Sequence, residues 1–232
     1  MKANQLALAE TFHSIQGEGT WTGTPMYFIR LAGCTVGRLK DTALPSLPAS
    51  ADGRTFLTGG APAWTCRTHD GRPFYCDTDF SVHEHATYEE LLGQCREDHI
   101  CFTGGEPLAQ LNRILPLIRM ILDLDKWVHI ETSGTIPWTD LMRYNHVWVT
   151  VSPKGGYLLG VLTSAQELKL LVDQDFPKHL PVEVLNHPNV WVQPINLDKE
   201  VNQDNLERAI SLLRDHPNWR LSVQLHKFLG LR

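Results

Sequence analysis

No stretch of this 232-residue chain is apolar for the length of a bilayer span; the longest candidate, from Ile114 to Leu124, is interrupted by Pro116 and Arg119. Positive charge is also scarce. Lysine and arginine number 21 against 26 aspartates and glutamates, a formal charge of -5, which argues against a strongly basic nucleic-acid binder. Residues Met1 to Glu10 carry one lysine and no sustained apolar core, so no secretory signal is expected there. Cysteine is sparse as well: Cys34, Cys66, Cys76, Cys95 and Cys101, an odd number that argues against a disulfide framework and for reduced thiols. Internal repeats, low-complexity tails and a second composition regime are missing. The expectation is a soluble, cytoplasmic protein that acts on neither membrane nor nucleic acid. With 42% hydrophobic residues it can bury one core, so residues 1–232 are expected to form a single domain.

What the chain does contain is an alternation of strand and helix signals. Ala7 to Ser14 and Met26 to Ala32 read as strands joined by a Gly-rich turn from Gln16 to Gly23. From Thr35 to Phe74 the periodicity dissolves among Pro45, Pro48, Pro62 and Pro73, and a loop this long in a compact domain is functional or disordered. After Thr87, a plausible cap, helices are predicted at Tyr88 to Asp98, Leu108 to Leu124, Trp138 to Arg143, Lys178 to Leu185 and Asn202 to Asp215. Strands are predicted between them at Ile100 to Thr103, Trp127 to Glu131, Val147 to Val151, Glu167 to Val172, Val190 to Gln193 and Arg220 to Leu225. This order predicts an α/β fold, a mostly parallel sheet with covering helices in an open or partial barrel.

In such a sheet ligands sit beyond the carboxyl ends of the strands. The residues expected there are Gln16-Gly17-Glu18-Gly19, Gly33-Cys34, Thr103 to Pro107, Glu131 to Gly134, Ser152-Pro153-Lys154, Gln193-Pro194 and His226-Lys227. Any one of these is ordinary turn chemistry. Together, at successive strand ends, they point to one large polar site. In Thr103-Gly104-Gly105-Glu106-Pro107 the glycines permit close backbone approach and Pro107 suits a first helical turn. The N–H groups there favour a carboxylate, and Glu106 suits an ammonium. A ligand with both charges on one carbon is an amino acid.

Cys76-Asp77-Thr78, taken with Gly33-Cys34, resembles the radical S-adenosylmethionine superfamily. More narrowly, the chain resembles the 7-carboxy-7-deazaguanine synthases of 7-deazapurine (queuosine-type) biosynthesis. The resemblance runs nearly end to end, through Phe12 to Gly19, Phe28 to Cys34, Phe102 to Leu108, Glu131 to Gly134, Val151 to Lys154, Val192 to Pro194 and Trp219 to Lys227. The Gln-Gly-Glu-Gly turn and the Ser-x-Gln-x-His-Lys tail are the most specific parts, since many radical enzymes share Gly-Gly-Glu-Pro.

The resemblance implies a [4Fe–4S] cluster held by three cysteines, with the fourth iron left for S-adenosylmethionine. The family spacing is C-x3-C-x2-C, whereas here Arg38 and Pro73 occupy the places of the middle cysteine and Cys34, Cys66 and Cys76 are spaced C-x31-C-x9-C. The expected middle ligand is then Cys66, since the cluster needs thiolates, with His69 as the alternative; related synthases also expand this loop. Cys95 and Cys101, in a helix and a strand, read as core residues.

The resemblance further implies an S-adenosylmethionine site at Tyr75, Cys76, Asp77, Gly105, Ser152, Pro153, Lys154, Gln193, Pro194, Ile195 and Asn196. A pterin site is implied at Ile15, Gln16, Gly17, Arg30 and Thr103, closed by the terminal carboxylate of Arg232. For Arg30 the residue chemistry agrees, since a guanidinium after a strand suits bidentate capture of a carboxylate. Thr78 is implied as a hydroxyl ligand to Mg2+, an ion that takes few protein oxygens. The implied reaction is that of a carbon–nitrogen lyase. A deoxyadenosyl radical takes hydrogen from C6 of 6-carboxy-5,6,7,8-tetrahydropterin, the ring contracts, the cofactor is regenerated, and loss of ammonia gives 7-carboxy-7-deazaguanine. A reducing donor such as a flavodoxin or ferredoxin and a homodimer complete the expectation. The rival within the superfamily is an activase that installs a radical on a partner protein. A rival of another class is a zinc-stabilised module using Cys34, Cys66, His69 and Cys76, although structural zinc normally takes tight C-x2-C knuckles that this sequence lacks.

Overall fold

The computed structural model describes residues 4–39, 64–76, 78–141, 143–196 and 201–231. Its strands, in chain order, are β1 (Gln5–Ile15), β2 (Pro25–Leu31), β3 (Arg38–Leu39), β4 (Trp64–Arg67), β5 (Pro73–Cys76), β6 (Glu84–Thr87), β7 (His99–Gly104), β8 (Trp127–Thr132), β9 (Val147–Val151), β10 (Glu167–Val172), β11 (Val190–Pro194) and β12 (Arg220–Leu221). The helices are α1 (Tyr88–Leu92), α2 (Leu111–Leu122), α3 (Leu159–Leu162), α4 (Val182–Leu185), α5 (Gln203–Asp215) and α6 (Leu225–Leu229). None of them is long and apolar enough to cross a membrane.

Nine strands form one sheet in the order β12-β11-β10-β9-β8-β7-β2-β1-β6. From β2 to β12 neighbours run parallel, while β1 pairs antiparallel with both β2 and β6. The order is linear with β12 and β6 at its edges, the topology of an open α/β sheet or partial barrel. A second, antiparallel sheet, β3-β4-β5, is formed by the described parts of the 35–74 insertion. That segment is therefore not structureless throughout, and its residues 40–63 lie outside the described residues.

Side chains alternate between the faces of a strand, and the sheet uses the alternation strictly. Ile100, Phe102, Val128, Ile130, Val149, Val151, Leu168 and Leu170 point to one face and pack with α2 and α5 into the main core. Helix α2 presents Ile114, Leu117, Ile118 and Ile121 to it, spacings of three, four and seven residues that fall on one helical face. Full burial of each such side chain is worth about 1.5–3 kcal/mol. The opposite, concave face takes the intervening residues: His99, Cys101 and Thr103 on β7, Trp127, His129 and Glu131 on β8, Glu167, Lys169 and Leu171 on β10.

Several expected boundaries shift. Helix α1 carries its Thr87–Glu90 capping box but stops at Leu92, before Gly93, well short of Asp98. The Leu108 to Leu124 helix opens as a tight turn, Pro107–Gln110, before α2 begins. The predicted Trp138 to Arg143 helix is replaced by tight turns, Leu141 N to Trp138 O at 2.8 Å and Tyr144 N to Leu141 O at 3.2 Å, because the segment is too short to repay helix nucleation. The weak Lys178 to Leu185 helix shrinks to α4, which starts after Pro181. The final strand covers only Arg220–Leu221, and His226-Lys227 sit in α6 instead of following a strand.

Candidate active site

The concave face surrounds a cavity of about 1200 Å³. Its wall takes Arg30 from β2, Thr103 from β7, Glu131 from β8 and Lys169 from β10, with the turns after β7, β8, β9 and β11 at the rim. Besides His226-Lys227, one more of the seven polar turns arrives differently from expectation. β1 runs antiparallel to β2, so Gln16 to Gly19 leaves the sheet at the amino ends of the parallel strands. It reaches the cavity by crossing the barrel interior: Gln16 Nε2 donates to Glu131 Oε1 at 3.0 Å, and the amide of Thr20 to Glu167 Oε2 at 2.8 Å.

At the centre of this crossing Lys169 donates to Glu18, with side-chain exposures of 7% and 12%. Glu18 Oε1 also accepts from Gln193 Nε2 at 3.1 Å and Gln224 Nε2 at 3.0 Å. Burial works to raise the Glu18 carboxyl, but the charge and hydrogen bond of Lys169, with help from His226, hold it below the usual range. Burial would lower the Lys169 ammonium, yet Glu18, Glu131 and Glu167 keep it above ordinary lysine. Both groups are therefore ionised at neutral pH. Thr103 Oγ1 donates to Glu131 Oε2 at 2.8 Å, so the Glu131 carboxylate is aimed by two neighbours.

Two expectations about site side chains change. Arg30 lies within β2, not after it; its Nε donates to Glu10 Oε1 at 3.0 Å while the guanidinium stands 5.6 Å from the Phe12 ring centroid, and the side chain lines the cavity. Glu106 is fully buried and does not face the cavity. Its carboxylate accepts from Leu108 N at 3.1 Å, Thr132 Oγ1 at 2.7 Å, Ser133 N at 2.8 Å and Ser133 Oγ. Those donors saturate it, so it ties the end of β8 to the Gly-Gly-Glu-Pro turn and has no capacity left for a ligand ammonium.

The cysteines fall into two groups. None forms a disulfide. Cys101 is fully buried, and burial pushes its thiol well up; burial pushes Cys95 up to about 11. Both stay protonated and behave as core residues. Cys34 follows Gly33 at the end of β2. Across the β4–β5 hairpin Cys66 faces Phe74 and Trp64 faces Cys76, so Cys66 and Cys76 are diagonal neighbours on one face. All three cysteines act electrostatically on Lys154. Burial alone would lower that ammonium, but the charges of Cys66, Cys76 and Cys34 hold it above the lysine range. Gly105 supplies the close approach this needs: a Cβ there would stand 2.1 Å from Gly33 O and 2.7 Å from Cys34 Cβ.

Among the described residues no three His, Cys, Asp or Glu side chains gather tightly enough for a single metal ion, which counts against the zinc reading. His69, the alternative ligand, packs its ring 5.1 Å from that of Phe176, and burial lowers its basicity. A four-iron cluster spreads its three thiolates over three irons and needs a wider triangle around an open cavity. Cys76 lines the cavity with Lys154, Cys66 is its diagonal neighbour across the hairpin, and Cys34 stands beside Gly105 of the lining; the triangle fits that demand although Cys34 and Cys66 do not themselves line the cavity.

No family model matches the chain. A protein of Nitratidesulfovibrio vulgaris named 7-carboxy-7-deazaguanine synthase is 33% identical, across 96% of this chain and 97% of its own length. Its namesake in Burkholderia multivorans is 31% identical, across 97% and 98%. The chain belongs to the 7-carboxy-7-deazaguanine synthase family. The crystal structure of QueE from Escherichia coli is similar in fold, with a TM-score of 0.60 and 25% identity over 96% of this chain and 95% of that one.

Of the residues that the synthase resemblance singled out, Ile15, Gln16, Gly17, Arg30 and Thr103 line the cavity together. So do Cys76, Thr78, Gly105, Ser152 and Lys154, as well as Gln193 through Asn196 at the end of β11. Pro153 lies between two lining residues without lining the cavity itself. Gln193 has both ends of its amide engaged, by Glu18 and by Ser222 Oγ at 3.0 Å. Asp77, Arg232 and the Tyr75 side chain lie outside the described residues. Glu18, Glu131, Lys169 and His226 line the cavity although the resemblance implies no role for them. Glu18, Glu131 and His226 stand inside the family-like motifs, and Lys169 occupies every-other-residue register with Glu167 and Leu171, a phase legible in the sequence.

Proposed function

We propose that this cavity is where the family's reaction takes place, converting 6-carboxy-5,6,7,8-tetrahydropterin to 7-carboxy-7-deazaguanine. The placement of Cys76 in the lining of a polar cavity, with Cys66 diagonal to it across the β4–β5 hairpin and Cys34 beside Gly105, carries the reading. The three cysteines hold the [4Fe–4S] cluster. Residues Tyr75 to Asp77, Gly105, Ser152 to Lys154 and Gln193 to Asn196 surround S-adenosylmethionine. When bound, cluster and cofactor supply one-electron, hydrogen-abstracting chemistry.

The chain's own residues orient the substrate and keep water out. Arg30 offers a guanidinium to the pterin carboxylate, with Glu10 and Phe12 fixing its direction. Ile15, Gln16, Gly17 and Thr103 pack around the ring system. Glu131, already aimed by Gln16 and Thr103, can accept hydrogen bonds from ring N–H groups. Thr78 contributes a hydroxyl to Mg2+, whose remaining ligands are substrate and water. Residues 1–232 act as one cytoplasmic domain, paired in a homodimer and reduced by a flavodoxin or ferredoxin.

The test is anaerobic reconstitution with iron and sulfide, followed by turnover of the pterin with S-adenosylmethionine under reducing conditions. Wild type is expected to make many products per cofactor, and Cys66→Ala to lose both cluster and turnover. Cleavage of S-adenosylmethionine with the pterin left intact would refute the assignment, and a wild-type-like Cys66→Ala would remove Cys66 from the ligand set.

A further inference from the structure

The turn between β4 and β5 is tied within itself and to the barrel. Thr68 N donates to Arg72 O at 2.8 Å, and Thr68 Oγ1 accepts from Arg72 N at 2.9 Å and donates to Asp70 Oδ1 at 2.6 Å. Arg72 Nε donates to Asp70 Oδ2 at 2.7 Å. The far side of the guanidinium leaves the hairpin, and Nη1 donates to both carboxylate oxygens of Asp173, just after β10. Next to this pair the His69 ring packs on Phe176, itself buried. On the other side Thr68 bridges to Lys154, and Gly155 N donates to Arg67 O at 3.1 Å. The hairpin tip is thus seated between the turns that follow β9 and β10.

A small hairpin is marginal in isolation. This one carries Cys66 and Cys76 on one face, while Cys34 lies outside it, in the loop between β2 of the main sheet and β3. Any swing of the hairpin moves two thiolates together relative to the third. Ligand constellations tolerate displacements of only about 0.5 Å, so something must fix that distance. Arg72 and Asp173 are suited to it. Their side chains are 28% and 24% exposed, so their attraction is partly shielded from solvent, and one guanidinium spans Asp70 through Nε and Asp173 through Nη1.

We propose that the Arg72–Asp173 ion pair latches the β4–β5 hairpin to the barrel and so positions Cys66 and Cys76 against Cys34 for the cluster. The proposal rests on the ligand assignment above. Arg72 and Asp173 are positioning residues and touch neither cofactor nor substrate.

Two measurements test it on the full chain. In the iron-free protein, amide exchange at 66–76 is expected to quicken several-fold in Asp173→Asn and Arg72→Gln, with β7 and β8 amides unchanged. In the reconstituted protein, the same variants are expected to give up iron to a chelator several-fold faster than wild type, with Arg72→Lys in between because it keeps the charge without the guanidinium that spans Asp70 and Asp173. Hairpin amides that exchange alike in wild type and Asp173→Asn overturn the latch while leaving the ligand assignment untouched. A Cys66→Ala variant that retains full iron overturns the ligand assignment, and the proposal with it, whatever the exchange shows.

Discussion

Lys169 brings an ammonium into the middle of the barrel, where it survives because Glu18 meets it from the crossing turn and Glu131 and Glu167 surround it. Each charge is tolerable only with its partner: removing one member of a buried pair leaves the other desolvated, at a cost of about 3–5 kcal/mol. Lys169→Met is therefore expected to lower stability by about that amount in urea unfolding, and Glu18→Gln added to it to recover part of the loss. A single variant as stable as wild type, or a double variant without recovery, would show that the pair contributes little. Glu106 makes the complementary point. Its place in Gly-Gly-Glu-Pro invites a ligand role, yet Thr132 and Ser133, 26 and 27 residues on, consume its oxygens. A motif gives the type of a side chain, but partners far along the chain decide whether any of its capacity remains.

Among elements, the alternation in β7 to β11 was the most legible feature. His99-x-Cys101-x-Thr103, Trp127-x-His129-x-Glu131 and Glu167-x-Lys169-x-Leu171 each set polar or aromatic residues against an apolar row, so both faces of these strands can be read in register from sequence. Where the rows begin, side chains from several elements close the amino-terminal mouth. Trp21 stands 5.0 Å from His99 and 5.1 Å from His129 between ring centroids, and His99 Nδ1 and His129 Nε2 share a hydrogen bond of 2.9 Å. Burial, with the His99 charge adding, lowers the His129 imidazole to about 3. In the unfolded chain the same group takes its proton near 6.5. Its contribution to stability is therefore complete above about pH 6.5 and is lost as pH falls toward 3, at up to about 1.4 kcal/mol per unit. Between about pH 3 and about 6.5 the unfolded chain takes up this proton and the folded one does not. A His129→Gln variant is expected to flatten the pH dependence of the urea midpoint across that interval; an unchanged slope would place the acid sensitivity elsewhere. Short elements were poorly legible: β6, β12, α3 and α6 are five residues or fewer, too few for periodicity to declare itself.

At the scale of the whole molecule, the beginning and end of the chain meet inside the barrel. Leu225 N donates to Gly17 O at 3.0 Å, and Gly19 N to Ser222 Oγ at 3.1 Å, while Gln224 reaches Glu18. These contacts join the turn after β1 to the segment after β12, which are far apart in strand order, and so bring Glu18 and His226 to one cavity. Gly17 is pinned there, since a Cβ would stand 2.0 Å from His226 Nδ1 and 3.0 Å from its backbone nitrogen. Gly17→Ala is expected to push α6 away, with faster amide exchange at 222–231 and a raised KM for the pterin, at a urea midpoint close to wild type. Unchanged exchange and KM would mean that the junction is not part of the closed site.

The sequence by itself determined the α/β class, the phase of its principal strands and the polar turns, because alternation, capping and residue chemistry are local properties. It also carried the family resemblance, since motifs such as Gln16 to Gly19 and Thr103 to Pro107 are contiguous. Tertiary structure alone decided that the Gln-Gly-Glu-Gly turn crosses the interior from the opposite end of the sheet, because an antiparallel β1 reverses which end is its carboxyl end. It alone brought Cys66 and Cys76 onto one hairpin face beside Cys34, spent Glu106 on internal donors, and paired Arg72 with Asp173. Those outcomes depend on which distant segments come into contact, and the electrostatic cost of leaving a buried charge alone selects contacts that no short window of sequence contains.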